Sequence, residues 1–321
     1  MREGHRKMGA MGGAKGLAKG AMTGAAFSLL AALALAFVSL PQAARAEAQA
    51  APQAQAAPQA TGGFRNSLGM DFVKVGPGSF SMGYEGEGAL PGEGPVHEVS
   101  ISEPFHIAAK ELDQASYEKV TGMNPSRFKD PLGPVHNISW ADAFEFVVML
   151  NELEGTDGYR IPSEAQWELA ARGGTQQDTG FPGKLADLGD YAWHKGNSGS
   201  TPHPIGLKKP NPLGLRDVLG NVWEWVADWY NPAFYANGQN QDPIGPRSGL
   251  EKVLRGGAFY NQPETLTVTR RMPLKPSLRY NSVGLRLLFA GDPASRGVAG
   301  KAAGEPTAAG DPEKAPQGAL P

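Results

Sequence analysis

The stretch Gly214-Leu215-Arg216-Asp217-Val218-Leu219-Gly220-Asn221-Val222-Trp223-Glu224-Trp225 is the densest concentration of chemically capable groups in the chain. It holds two carboxylates, an amide, two indoles and two glycines in one short run. Trp223 and Trp225 alternate with Glu224 between them, which fits an extended segment whose successive side chains face opposite ways. The turn from Asp217 to Gly220 can aim backbone carbonyls and the Asp217 carboxylate at the place where Glu224 points. Carboxylate and carbonyl oxygens are what a hard divalent cation such as calcium takes. The competing assignment is structural, with Asp217 capping a helical turn and Glu224 paired with a buried arginine. Residue types alone leave both open.

The elements that must position these groups lie in the middle of the chain. Over 321 residues the net charge is −2, which gives no reason to expect nucleic acid or an anionic surface as partner. Cysteine is absent, so disulfides, thiolate-held zinc or copper and a cysteine nucleophile are excluded. Glycine (43) and proline (27) are abundant, while the aromatic residues gather between Phe64 and Phe289, which predicts a loop-rich core with disordered ends.

Residues 1–46 combine a basic start, an apolar run from Ala25 to Leu40 and Ala44-Arg45-Ala46, the pattern of a signal peptide for export to the periplasm or beyond. The chain stays at the membrane only if that segment is uncleaved. Residues 47–63 are an Ala/Pro/Gln tether and residues 292–321 a solvated tail, leaving 64–291 as the folded domain. Within it, Asp71–Val75 and Ser79–Met82 flank Gly76-Pro77-Gly78 and predict a hairpin. His97 to Phe105 predicts a further strand. Asp113 caps a short helix ending at Thr121-Gly122. Ser139-x-x-Asp142 and Ser163-x-x-Gln166 are capping boxes. The first opens a helix with Trp140, Ala143, Phe144, Val147 and Val148 on its apolar face, stopping near Gly155. The second puts Trp167, Ala170 and Ala171 on one face and stops at Gly173-Gly174. Short strands are expected at Lys252–Arg255, Leu266–Thr269 and Val283–Phe289. The fold class is α+β, two or three helices on an irregular antiparallel sheet.

Several stretches together resemble the formylglycine-generating enzyme, or sulfatase-modifying factor, family. They are Phe80-Ser81-Met82-Gly83, Asn124-Pro125-Ser126-Arg127-Phe128, Pro134 to Ala143, Tyr159 to Glu168, Gly220 to Trp225, Leu254-Arg255-Gly256-Gly257 and Val283-Gly284-Leu285-Arg286. The resemblance implies a variant of the C-type-lectin fold with little regular secondary structure. It also implies a calcium site through the side chains of Asp217 and Glu224 and the backbone of Gly220 and Val222. The family's second calcium site is not expected, because the loop after Asn197 is short.

One departure matters most. Family enzymes oxidise a target cysteine with copper held by two cysteines, whose positions here are Asn261 and Leu266. Neither can hold Cu(I), so no copper is expected. The histidines His97, His106, His136, His194 and His203 are too scattered for an iron site of the kind another branch uses. Exported members without the cysteine pair, some of which tailor siderophores, agree best with the whole pattern.

The first expectation is therefore an extracytoplasmic binding or accessory module that holds a protein, a peptide or a small molecule. Its groove would be lined by Asn261, Gln262, Glu264, Arg270 and Arg271, the two arginines having surface charge pairing as the alternative. The second is an enzyme with non-thiol chemistry in the same groove, using Glu264 or His194 as acid or base. Formylglycine generation itself comes last.

Overall fold

The computed structural model describes residues 62–296; the expected signal segment and most of the expected tether and tail lie outside the described residues. Strands from both ends of this region lie side by side. β1 (Gly63–Arg65), β2 (Asp71–Val75), β5 (Phe105–Ala108), β11 (Leu288–Ala290) and β6 (Tyr159–Arg160) form an antiparallel sheet in that order. A second sheet runs β10 (Val283–Gly284), β7 (Trp223–Trp229), β8 (Lys252–Arg255), β9 (Arg271–Leu274); β10 pairs with β7 in parallel and the other pairs are antiparallel. β3 (Gly78–Met82) and β4 (His97–Ile101) make a separate ribbon.

The helix signals are realised as local chemistry. α1 (Gln114–Thr121) is capped by Asp113, whose carboxylate accepts from the Ser116 amide at 2.7 Å, and Gly122 closes it in the left-handed conformation. α2 (Trp140–Glu154) and α3 (Glu164–Arg172) both carry complete capping boxes, at Ser139/Asp142 and Ser163/Gln166, and stop at Gly155 and Gly173. α4 (Leu188–Tyr191) and α5 (Phe234–Asn237) are single turns. α3 is buried on nearly every side. Ala165, Leu169 and Ala170 join one apolar cluster while Trp167 and Ala171 join another, so Glu164, Glu168 and Arg172 are buried with them.

Five local expectations are corrected. Asp71–Val75 and Ser79–Met82 form no hairpin: β2 pairs with β1 and β5 while β3 pairs with β4, so the chain changes sheets at Gly76-Pro77. His97–Phe105 is broken at Ser102–Pro104, where Asp242 takes the Ser102 amide and hydroxyl at 2.8 and 2.6 Å and Pro104 has no amide to pair. Leu266–Thr269 buries Leu266 and Val268 as alternation requires, yet their amides go to Pro263 and Asp178 rather than to a ladder. Val283–Phe289 is interrupted at Leu285–Leu287, where Arg286 turns inward. On α2 the core face is Ala143, Phe146, Val147 and Leu150, and Phe144 and Val148 remain 51% and 40% exposed.

Candidate functional site

The turn before β7 runs through left-handed backbone at Asp217 (φ 55°), Gly220 (φ 78°) and Asn221 (φ 51°). Gly220 is required twice over, because a Cβ there would sit 2.1 Å from the Trp193 carbonyl oxygen. Its amide donates to Gly256 O at 3.0 Å, which joins this turn to the Arg-Gly-Gly turn after β8. The Asn221 amide donates to Trp193 O at 3.0 Å and the Trp223 amide to Ser282 O at 2.7 Å. The two Asn221 side-chain groups hold His203 in place: Oδ1 accepts from its amide at 2.9 Å and Nδ2 donates to its carbonyl at 3.1 Å.

Three carboxylates meet behind this turn. Glu224 accepts from Arg286 Nη2 at 2.7 Å and Nε at 3.0 Å, and from Trp167 Nε1 at 2.5 Å. Arg286 also donates to the carbonyls of Ala108, Arg216 and Asp217 at 3.0, 2.8 and 3.2 Å. Asp217 accepts from the Gly206 amide at 2.5 Å through Oδ2, and its Oδ1 is buried without a partner. Glu111, just ahead of α1, accepts from the Val222 amide at 3.1 Å and from Asn221 Nδ2 at 2.6 Å. All four charged side chains are almost fully buried. Burial and then the charges of Asp217 and Glu224 push the Glu111 carboxyl well up from the usual range; burial raises Asp217 too, against the pull of Gly206 N–H and Arg286.

Glu224 thus forms the buried arginine pair that the sequence left as one of two assignments. The residues nevertheless fit calcium. Of the three carboxylates only Glu224 is bonded to the Arg286 guanidinium, an Asp217 oxygen is buried and unpaired, and oxygen is the donor that calcium takes. Among the described residues no three side chains of His, Cys, Asp or Glu form a metal-ligating group. An ion here would therefore be held by Asp217 and the Gly220 and Val222 carbonyls, with Glu224 shared between it and Arg286.

The five groove candidates do not come together. Arg271 is buried with its Nε and Nη2 on Glu164 at 2.6 and 2.8 Å, and its Nη1 donates to Gly92 O at 2.6 Å. Arg270 pairs with Glu93 at 3.0 Å. Both arginines face inward, Arg271 to Glu164 on α3 and Arg270 to the buried Glu93 of the loop before β4. Arg255 completes that network with Glu164 at 2.8 Å and Glu168 at 2.5 Å, and Arg172 holds Glu168 at 2.8 Å. Asn261 Oδ1 accepts from the Ala258 amide at 2.9 Å and closes a turn, and Leu266 is a core residue against Gly257. Gln262 and Glu264 stay on the surface.

Beside them stands Tyr260, 44% exposed, whose hydroxyl accepts from Trp223 Nε1 at 3.3 Å. His194 is buried under this surface, where burial and then Lys208 lower its pKa and Glu264 opposes them. His136 is structural, its Nε2 accepting from the Arg127 and Phe128 amides at 3.0 and 3.1 Å. Sequence reasoning missed Glu111, Glu164 and Glu168, because a buried carboxylate and an exposed one are spelled alike.

The family model for the sulfatase-modifying factor enzyme 1-like domain matches residues 52–290. A formylglycine-generating enzyme of Streptomyces coelicolor is 31% identical over 258 residues, covering 58% of this chain and 78% of that protein. Among solved structures, Treponema denticola variable protein 1 is similar at TM-score 0.65 and 27% identity, covering 71% of this chain and 99% of that one. The structure of PvdO from Pseudomonas aeruginosa is similar at TM-score 0.65 and 25% identity, covering 72% and 98%.

Proposed function

The chain belongs to the sulfatase-modifying factor enzyme 1-like family, and from that premise we propose that it is an exported, calcium-stabilised binding or accessory module of that family. One observation carries this. At the positions where the enzymes hold copper, Asn261 closes a turn and Leu266 fills the core, so the surface retains its scaffold and lacks redox ligands. Tyr260, Gln262 and Glu264 would make the recognition surface, an aromatic ring and polar groups on loops fixed by the sheets. The occupant would be a protein, a peptide or a small molecule.

A photo-crosslinking amino acid placed at Gln262 or Glu264 of the full chain tests this reading in producing cells, with exposed Lys275 as the control position. The expected result is a discrete adduct from the first two positions that Tyr260→Ala abolishes. Equal labelling from all three would contradict it.

The charge of Glu264, which opposes the lowering of the His194 pKa by burial and Lys208, favours a second reading, a non-thiol tailoring enzyme using those two residues for proton transfer. Turnover lost in Glu264→Gln with unchanged binding would select it. Formylglycine generation predicts an aldehyde on a cysteine-bearing sulfatase peptide in the presence of copper and oxygen; the module predicts none.

A further inference from the structure

We propose that Glu111 is a positioning residue of the calcium site, fixing the Asn221–Val222 peptide between the two carbonyl donors and supplying charge that favours a divalent cation. The inference rests on the calcium site proposed above and assigns it a component from a distant part of the chain. The peptide planes explain why one is needed. In a trans peptide the N–H and C=O point opposite ways. The Asn221 and Trp223 amides donate to the carbonyls of Trp193 and Ser282, so main-chain bonds orient the Gly220 and Val222 carbonyls. The peptide unit between them has its amide, Val222 N, on Glu111 Oε1 at 3.1 Å. Glu111 Oε2 holds Asn221 Nδ2 at 2.6 Å, and that side chain in turn holds His203. One carboxylate therefore sets both the backbone and the side chain of the residue between the two donors.

Burial makes this placement informative. Glu111 is buried, yet among the described residues no cationic side chain hydrogen-bonds to it. Arg286, the nearest cation of the cluster, spends its donors on Glu224 and three carbonyls. Burying a carboxylate without a cationic hydrogen-bond partner is costly, so its place here calls for a compensating charge. Together with the unpaired Asp217 Oδ1, Glu111 leaves negative charge that a divalent ion would balance. A cavity of about 80 Å³ has Glu111 in its lining together with Met70, Asp71, Lys110, Asp113 and Ile205.

The test is calorimetric titration of the full chain with calcium, together with thermal melting in calcium and in chelator, for wild type and Glu111→Gln. Glutamine keeps one acceptor and removes the charge. The expected result is a calcium affinity weakened roughly tenfold or more, since a unit charge a few Å from a divalent ion contributes strongly at low dielectric. The rise in melting temperature on adding calcium should shrink with it. A residue that only held the turn would lower melting equally in both conditions and leave that rise unchanged, which would overturn the inference. A wild type indifferent to calcium would instead remove the calcium site itself. If Glu111→Gln fails to fold, Glu111→Asp, which keeps the charge, should retain the calcium response. Loss of the response with the charge in place would also overturn the proposal.

Discussion

Replacing Arg286 by methionine tests the electrostatic arrangement behind β7 most severely. The substitution keeps an apolar stem of similar length and removes the guanidinium that neutralises Glu224. Glu224 would keep only the Trp167 N–H, and Asp217 and Glu111 would lose the cation nearest to them. The carbonyls of Ala108, Arg216 and Asp217 would also lose donors. Removing one partner of a buried pair costs about 3–5 kcal/mol, because the remaining charge stays buried and uncompensated.

Arg255→Met offers an internal comparison. It strips the same kind of buried cation, but Glu168 keeps Arg172 at 2.8 Å and Glu164 keeps Arg271 at 2.6 Å. Arg286→Met should therefore sit at or above the top of that range and Arg255→Met near its bottom. For a domain of 150–250 residues each kcal/mol moves Tm by roughly 2–4 °C, so about 3–5 kcal/mol corresponds to a fall of about 6–20 °C. Chemical denaturation of both variants in chelator reads this directly. Calcium should restore part of the Arg286→Met loss by supplying the missing charge, and little of the Arg255→Met loss. A cost below about 1 kcal/mol for Arg286→Met, or equal rescue of both variants, would refute the reasoning.

Other consequences are independent of that pair. Asp228 is pushed up to about 7 by burial and then by Glu164. Its folded value lies above its unfolded one, so the folded state binds the extra proton and stability falls as pH rises from about 4 to about 7. Asp228→Asn should flatten that stretch of the stability–pH curve, and an unchanged slope would count against it. Leu266→Ala should cost about 2–5 kcal/mol as a core cavity, against about 1 kcal/mol for loss of the turn bond in Asn261→Ala; denaturant midpoints separate the two. Gly220→Ala places a Cβ 2.1 Å from Trp193 O and should destabilise far more than Gly62→Ala, whose Cβ would meet nothing. Comparable Tm values for those two would contradict the close approach.

What could be read from sequence depended on how local its cause was. Asp113, Ser139 and Ser163 start helices, and Gly122, Gly155 and Gly173 stop them, through bonds to residues three or four positions away, so these elements were legible. The indoles at 223 and 225 marked an extended strand for the same reason. Pairing was not legible. Nothing in Asp71–Met82 says that its two halves join different sheets, since the partners of β2 and β3 lie elsewhere in the chain. Phe144 and Val148 sat within the helical period but beyond its buried arc. At the candidate site, Asp217 and Glu224 stand out in the sequence because they share one short motif. Glu111 lies more than a hundred positions earlier, and only the fold brings it to Val222. Arg271 reads as a groove residue in the sequence, which does not show which charges a buried helix such as α3 draws inward.

Elemental analysis by mass spectrometry of the full chain, purified without chelator, tests the central claim most directly. The proposed calcium-stabilised module, with Asn261 and Leu266 at the positions of the family's copper-binding cysteines, predicts about one calcium per chain and no stoichiometric transition metal. Stoichiometric copper or iron, or protein free of calcium, would contradict it.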